Sequence, residues 1–179
     1  MVSLIYIFWM YVILFAVIGA MRGWAKELLV SFSVILAIFI LTVMERYLTN
    51  IMNKLDPGTR FGFESIILVV LVFFGYQSPN IPRLAANNRF ARDRLQDTLL
   101  GVFLGGINGY LVFGTFWYFL NAADYPMKPI ILKPEMTSDI QQMLKILPPQ
   151  WLGGGLGGDS AAIYFAVALC FVFVLVVFV

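Results

Sequence analysis

LIYIFWMYVILFAVIGAM, residues 4–21, runs without a single charged side chain. A bilayer core about 30 Å thick asks for about 20 apolar residues in a helix. This run rises roughly 27 Å at about 1.5 Å per residue. No cation precedes it and no A-x-A site follows, and it exceeds the apolar stretch of a signal peptide, so a retained first membrane helix is expected. The rest of the chain repeats the theme. Of 179 residues, 61% are hydrophobic and 12% charged, and the mean hydropathy is +0.88. Soluble domains carry about 25% charged residues, and a chain this short has too little interior to hide so much apolar surface from water. A water-soluble globule, a disordered tail and a collagen-like rod are excluded.

Outward from the first run, Arg22 to Glu27 (RGWAKE) reads as a polar break and Leu28 to Met44 as a second span. Glu45 to Gly62 is polar and contains Asp56-Pro57-Gly58, a turn signal because Pro presets φ and Gly tolerates positive φ. Phe63 to Tyr76 is a third, short run with Glu64 at its start; starting it at Phe61 makes a tilted crossing. Residues 77–98 form a basic connection in which Pro79 and Pro82 oppose helix. Leu99 to Leu120 is the fourth span and Ala161 to Val179 a fifth uncharged run. The fold expected is all-α: a polytopic bundle of four to five transmembrane helices plus one interfacial amphipathic helix. Its parts are a four-helix core (1–120), an extramembrane segment (121–160) and a last membrane helix (161–179). The cations are densest in 22–27 and 77–98, which places that side in the cytoplasm and the N-terminus outside.

Gly101, Gly105 and Gly109 recur every four residues and so line one helix face. A glycine strip lets another backbone approach closely, either within this chain or from a second copy or partner. Asn108 beside it reads as an interhelical hydrogen bond or, less blandly, as the lining of a pathway. Glu27 can pair with Arg22 or with an arginine of the basic connection. Glu64 can pair with Arg60 four residues earlier, and it is the acid to test first for proton or cation handling. Arg89, Arg92 and Arg94 lie in a charged helical stretch, read as a collar on anionic lipid heads or a dock for a protein partner. Met136, Ile140, Met143, Leu144 and Leu147 share one face, which predicts an amphipathic surface helix over 136–147, stopped by Pro148-Pro149, with Trp151 at interface depth. Residues 151–158 (WLGGGLGG) read as a flexible linker.

The chain has no histidine and one cysteine, Cys170. Zinc, haem and iron–sulfur ligation and Ser/His or Cys/His acyl transfer have no residues to use. No cofactor, no metal, no catalytic residue, no nucleic acid and no small-molecule substrate is expected. The partners expected are the bilayer itself and other membrane subunits or further copies of the chain.

Arg22-Gly23-Trp24-Ala25-Lys26-Glu27 and the segment from Asp97 through Gly101, Gly105 and Gly109 carry a pattern. Over residues 3–120 the chain resembles the colicin V production (CvpA-like) family of bacterial inner-membrane proteins. Arg22, Gly23, Trp24, Lys26 and Glu27 match that family's first motif; Asp97 and the three glycines match the second, with Asn108 where the family usually has Arg. The resemblance implies a four-span core in the inner membrane and roles in colicin V export and envelope stress, without an accepted catalytic mechanism. The reading is a non-enzymatic membrane protein acting through helix packing and protein contacts in the envelope. The alternatives are an accessory subunit of a larger energy-transducing or transport complex, and a small oligomeric channel or exporter.

Overall fold

In a computed structural model, residues 3–77, 94–127, 131 and 133–178 are described. The elements are α1 (Leu4–Arg22), α2 (Trp24–Tyr47), the single turn α3 (Thr49–Met52), α4 (Pro57–Tyr76), α5 (Arg94–Ala122), α6 (Ser138–Lys145), α7 (Pro148–Gly153) and α8 (Ala161–Phe178). Helices α1, α2, α4 and α5 are long and apolar enough to cross a membrane. At 18 residues, the apolar α8 lies at the short end of the crossing range. The molecule is an all-α membrane bundle.

The polar break at 22–27 shrinks to one residue. Gly23 sits at φ 85, its N–H bonded to the Gly19 carbonyl at 3.0 Å, and α2 begins at once with Trp24. The positive φ suits glycine, and a Cβ here would lie 2.8 Å from the Asp97 carboxylate. The third span is a full 20 residues, because it starts at Pro57 rather than Phe63. Asp56 caps it: its side chain accepts the Thr59 N–H at 3.0 Å and the Thr59 hydroxyl at 2.5 Å. Pro at the first helical position loses no needed donor.

Contacts fix the directions. Gly19 meets Gly101, Tyr11 stacks on Phe113 at 3.8 Å and Phe8 lies 5.8 Å from Trp117, so α1 and α5 run antiparallel. Phe32 meets Phe173 and Phe39 meets Tyr164, so α2 and α8 are antiparallel too. Helix α5 packs against α1, α2, α4 and α7. Between α2, α4 and α5 the interior is largely apolar: Val34, Ala37, Ile38, Leu41, Leu68, Leu111 and Phe119 are all buried.

Two expectations for the later segment change. The amphipathic helix is shorter than 136–147, covering Ser138–Lys145, and Thr137 stands at its N-cap without a side-chain bond. Its apolar face turns onto the bundle: Ile140 is buried, and Met143 and Leu144 pack on the cluster of Phe8, Trp117 and Leu147. Pro148 and Pro149 do not merely stop it; they open α7, which runs through Trp151 and buries Leu152 and Gly153. Residues 154–158 are a folded turn rather than an open linker. Gly154, Gly155 and Gly157 take φ of 69, 93 and 78, Gly155 N–H donates to the Pro149 carbonyl, and Leu156 N–H donates to the Tyr118 hydroxyl at 3.2 Å.

Candidate functional site

At the end of the bundle where α1 turns into α2, four spans meet on one buried carboxylate. Glu27 has no solvent exposure. Arg22 closes α1 and Glu27 lies in the first turn of α2, so both charges suit the helix ends they occupy. The bend at Gly23 folds them together, with Arg22 Nη1 2.6 Å from Glu27 Oε1. Asn108 of α5 donates from Nδ2 to Glu27 Oε2 at 2.7 Å and to the Glu27 carbonyl at 2.8 Å. Its Oδ1 accepts the Ser31 hydroxyl at 2.6 Å. Arg22 Nη2 reaches α4, donating to the Tyr76 carbonyl at 3.0 Å, while the guanidinium stands 4.3 Å from the Tyr76 ring centroid. Asp97 accepts the Trp24 N–H at 3.2 Å, tying the start of α5 to the start of α2.

The pair of Arg22 and Glu27 is neutral, and both oxygens of Glu27 are taken. A buried ion pair repays its desolvation only when further hydrogen bonds satisfy the remaining lone pairs; Asn108 supplies them. Chemically this is a closed joint, holding rigid groups in fixed places.

The glycine strip lies beside it. A Cβ on Gly105 would overlap the Phe15 carbonyl, and one on Gly109 would come 2.9 Å from both the Val12 Cα and the Phe15 Cβ. Gly101 meets Gly19. The partner of the strip is α1 of the same chain. Thus Arg22, Gly23, Trp24, Glu27, Asp97, Gly101, Gly105, Asn108 and Gly109 come together around one helix crossing. Lys26 is exposed nearby.

The remaining candidates are elsewhere. Glu64 lies toward the far end, 3.0 Å from Arg60 Nε. Trp151 is half exposed and donates from Nε1 to the Tyr110 hydroxyl at 3.1 Å, while that hydroxyl donates to the Ile146 carbonyl. Arg89 and Arg92 fall outside the described residues, and Arg94 opens α5 with its side chain outside them. Among the described residues no group of three His, Cys, Asp or Glu is placed to hold a metal ion. Outside the spans, hydrogen bonds from Thr59 hold the Asp56 carboxyl below its ordinary range. Lys133 is raised by its bond to Asp124, and burial raises Tyr125.

Sequence reasoning did not single out Ser31 or Tyr76. Ser31 had a signal, since it stands one turn beyond Glu27 on the same face. Tyr76 is used mainly through its backbone carbonyl and ring, which no spacing rule reports.

No curated protein and no solved structure matches the chain. A family model described as colicin V production protein matches residues 5–145. That match contains both motifs, the joint and the glycine crossing, and so the chain belongs to the colicin V production protein family.

Proposed function

We propose that this protein is a non-enzymatic element of the bacterial inner membrane that works through helix packing and contacts with other envelope proteins. The observation that carries the reading is the saturation of the joint: both Glu27 oxygens and both polar atoms of the Asn108 amide are committed to fixed partners. A carboxylate held in this way is poorly suited to carry protons or attack a substrate, and well suited to hold α1, α2, α4 and α5 in one register. The rigid bundle then presents its lipid-facing sides and its exposed loops to partners. Gentle extraction from native membranes, native electrophoresis and mass spectrometry test this reading. A stoichiometric band with other membrane proteins is expected; a monodisperse band of this chain alone, with no cross-linked partner in cells, refutes it.

Buried charge at Glu64 favours a second reading, a small channel or exporter with Glu64 on its path. It expects ion flux in proteoliposomes that Glu64→Gln abolishes.

A further inference from the structure

The segment that carries α6 and α7 begins and ends at one end of the bundle. The chain leaves α5 at Ala122, beside the exposed ion pair of Asp124 and Lys133. It returns at Asp159, which pairs with Arg46 near the end of α2. Between these charged points it dips along α5. The Ile146 carbonyl accepts the Tyr110 hydroxyl, and Trp151 Nε1 donates to that hydroxyl at 3.1 Å. Pro148 presses on Gly114, where a Cβ would meet its ring at 2.6 Å. The chain then climbs: Gly153 lies by the Thr42 hydroxyl, Leu156 N–H donates to Tyr118, and Gly157 stands against Glu45. At about 1.5 Å per residue, Gly114 lies roughly 12 Å along α5 from Ala122, and Tyr110 roughly 18 Å. Half of a bilayer core is about 15 Å. The turn between α6 and α7 thus reaches the middle of the span.

Irregular backbone survives at that depth only where protein buries it or water reaches it. Both conditions have residues to meet them. A helix start leaves N–H groups without intrahelical acceptors. In α7 two of these are absent, because its first two residues are Pro148 and Pro149. The next, of Gln150, donates to the Leu147 carbonyl at 2.9 Å, and Trp151 N–H shares that acceptor at 3.3 Å. Ile146 N–H donates to the Met143 carbonyl, while its own carbonyl is taken by Tyr110. Leu147, Pro148 and Pro149 are buried. The other flank of α6 is polar. Ser138, Gln141, Gln142 and Lys145 recur at helical spacing on one face, and all four are exposed. Among the described residues Lys145 has no ion-pair partner. On α1 at the same level, where Val12 meets Gly109, the exposed side chains are Met10, Ile13 and Leu14, which suit hydrocarbon. An ammonium and two amides do not, since polar side chains at this depth face protein or a wet cavity.

We propose that α6 and α7 form a re-entrant hairpin, entering from the Glu45 end and turning at Ile146–Pro148 in mid-membrane, with a water-filled inlet along the Gln141, Gln142 and Lys145 flank. The occupant of the inlet is water, drawn down by the polar flank and admitted where the leaflet is displaced. It ends at the bonded pair of Tyr110 and Trp151, and so is a pit in one leaflet. The proposal is independent of the joint at Glu27 and of the partner contacts proposed above.

Two measurements on the full chain in lipid nanodiscs, in a Cys170→Ala background, test the two halves. The first reads depth. A fluorophore on Ile146→Cys, at a half-exposed side chain, is quenched by nitroxides placed at shallow or deep carbons of the lipid chains. Quenching should be strongest from the deep nitroxide, as at Ile13→Cys, and unlike Ile51→Cys in α3, where the shallow one should dominate. Shallow quenching at Ile146→Cys overturns the hairpin. The second reads water. A charged, water-soluble thiol reagent should modify Lys145→Cys several-fold faster than Ile13→Cys. A rate no faster than that of Ile13→Cys means a dry flank and overturns the inlet. Should Lys145→Cys fail to fold, Gln142→Cys, one turn earlier on the same face, is read against the same control with the same two outcomes.

Discussion

Asn108 gives Glu27 two donated bonds and takes one from Ser31, so its chemistry at that point is specific in both directions. Asn108→Asp keeps the shape but replaces the donor by a second carboxylate facing Glu27. Leaving buried Glu27 without these donors costs about 1–3 kcal/mol, and more because the group is charged. We expect a large fall in thermal midpoint in nanodiscs at neutral pH, partly restored in acid, where the new carboxyl takes a proton and the repulsion ends. Asp56 makes a second residue-scale prediction. Its carboxyl is held below the ordinary range by Thr59, so the cap is stabilising above that range and is lost as pH falls through the depressed value. The protection factor of the Thr59 amide should therefore fall in strong acid, and Asp56→Asn should flatten that dependence. The residue scale was partly legible in the sequence. Arg22, Glu27 and Asn108 stood out because charge and amide are costly in a span. Which partner each would choose was open, because the choice depends on the Gly23 bend, and a composition rule does not report φ.

At the scale of elements, the α1–α5 crossing rests on absent side chains. Gly105→Leu would drive a branched chain into the α1 backbone near Phe15 and Gly19. Overpacking a fitted contact costs about 1–3 kcal/mol, occasionally more. A cysteine pair at Tyr11 and Phe113, whose rings stack in the native chain, should cross-link readily in a Cys170→Ala background. Gly105→Leu should lower the yield several-fold, and an undiminished yield would mean the crossing does not need the strip. The four-residue glycine period was plain in the sequence; that its partner is Gly19 of the first helix was not, since one glycine in a long apolar run gives no period. The later segment misled for a related reason. The apolar face of 136–147 has the same pattern whether it meets lipid or protein, and only the bundle shows that Phe8 and Trp117 receive it. Gly-rich composition likewise suggested slack at 154–158, where positive φ values are instead spent on a defined turn.

For the whole molecule, the alternation of helix directions places Lys26 and Lys54 at opposite ends. With the basic end inward, Lys54→Cys should react with a membrane-impermeant thiol reagent on intact spheroplasts, and Lys26→Cys should react only after permeabilisation, each in a Cys170→Ala background. The reverse pattern would invert the orientation, and equal labelling would break the alternation itself. Membrane class and span positions were legible because the lipid core demands long apolar runs whatever the partners. The third span was underestimated because its first turn, Pro57–Gly62, is polar in sequence yet helical through the Asp56 cap.

The spacing of the two ionic ends has a consequence for the lipid around them. Glu27, paired with Arg22, and Glu45, paired with Arg60, bracket the apolar stretch of α2, and at about 1.5 Å per residue they stand roughly 27 Å apart. That length acts as a ruler. In a bilayer whose hydrocarbon is thicker, one charged cluster is drawn below the headgroups or the lipid around the bundle must thin; in a thinner one, apolar surface is exposed to water. Each mismatch costs a fraction of a kcal/mol per Å. Membranes of different acyl length should therefore hold this protein with different stability, and a patch of matching thickness should gather it.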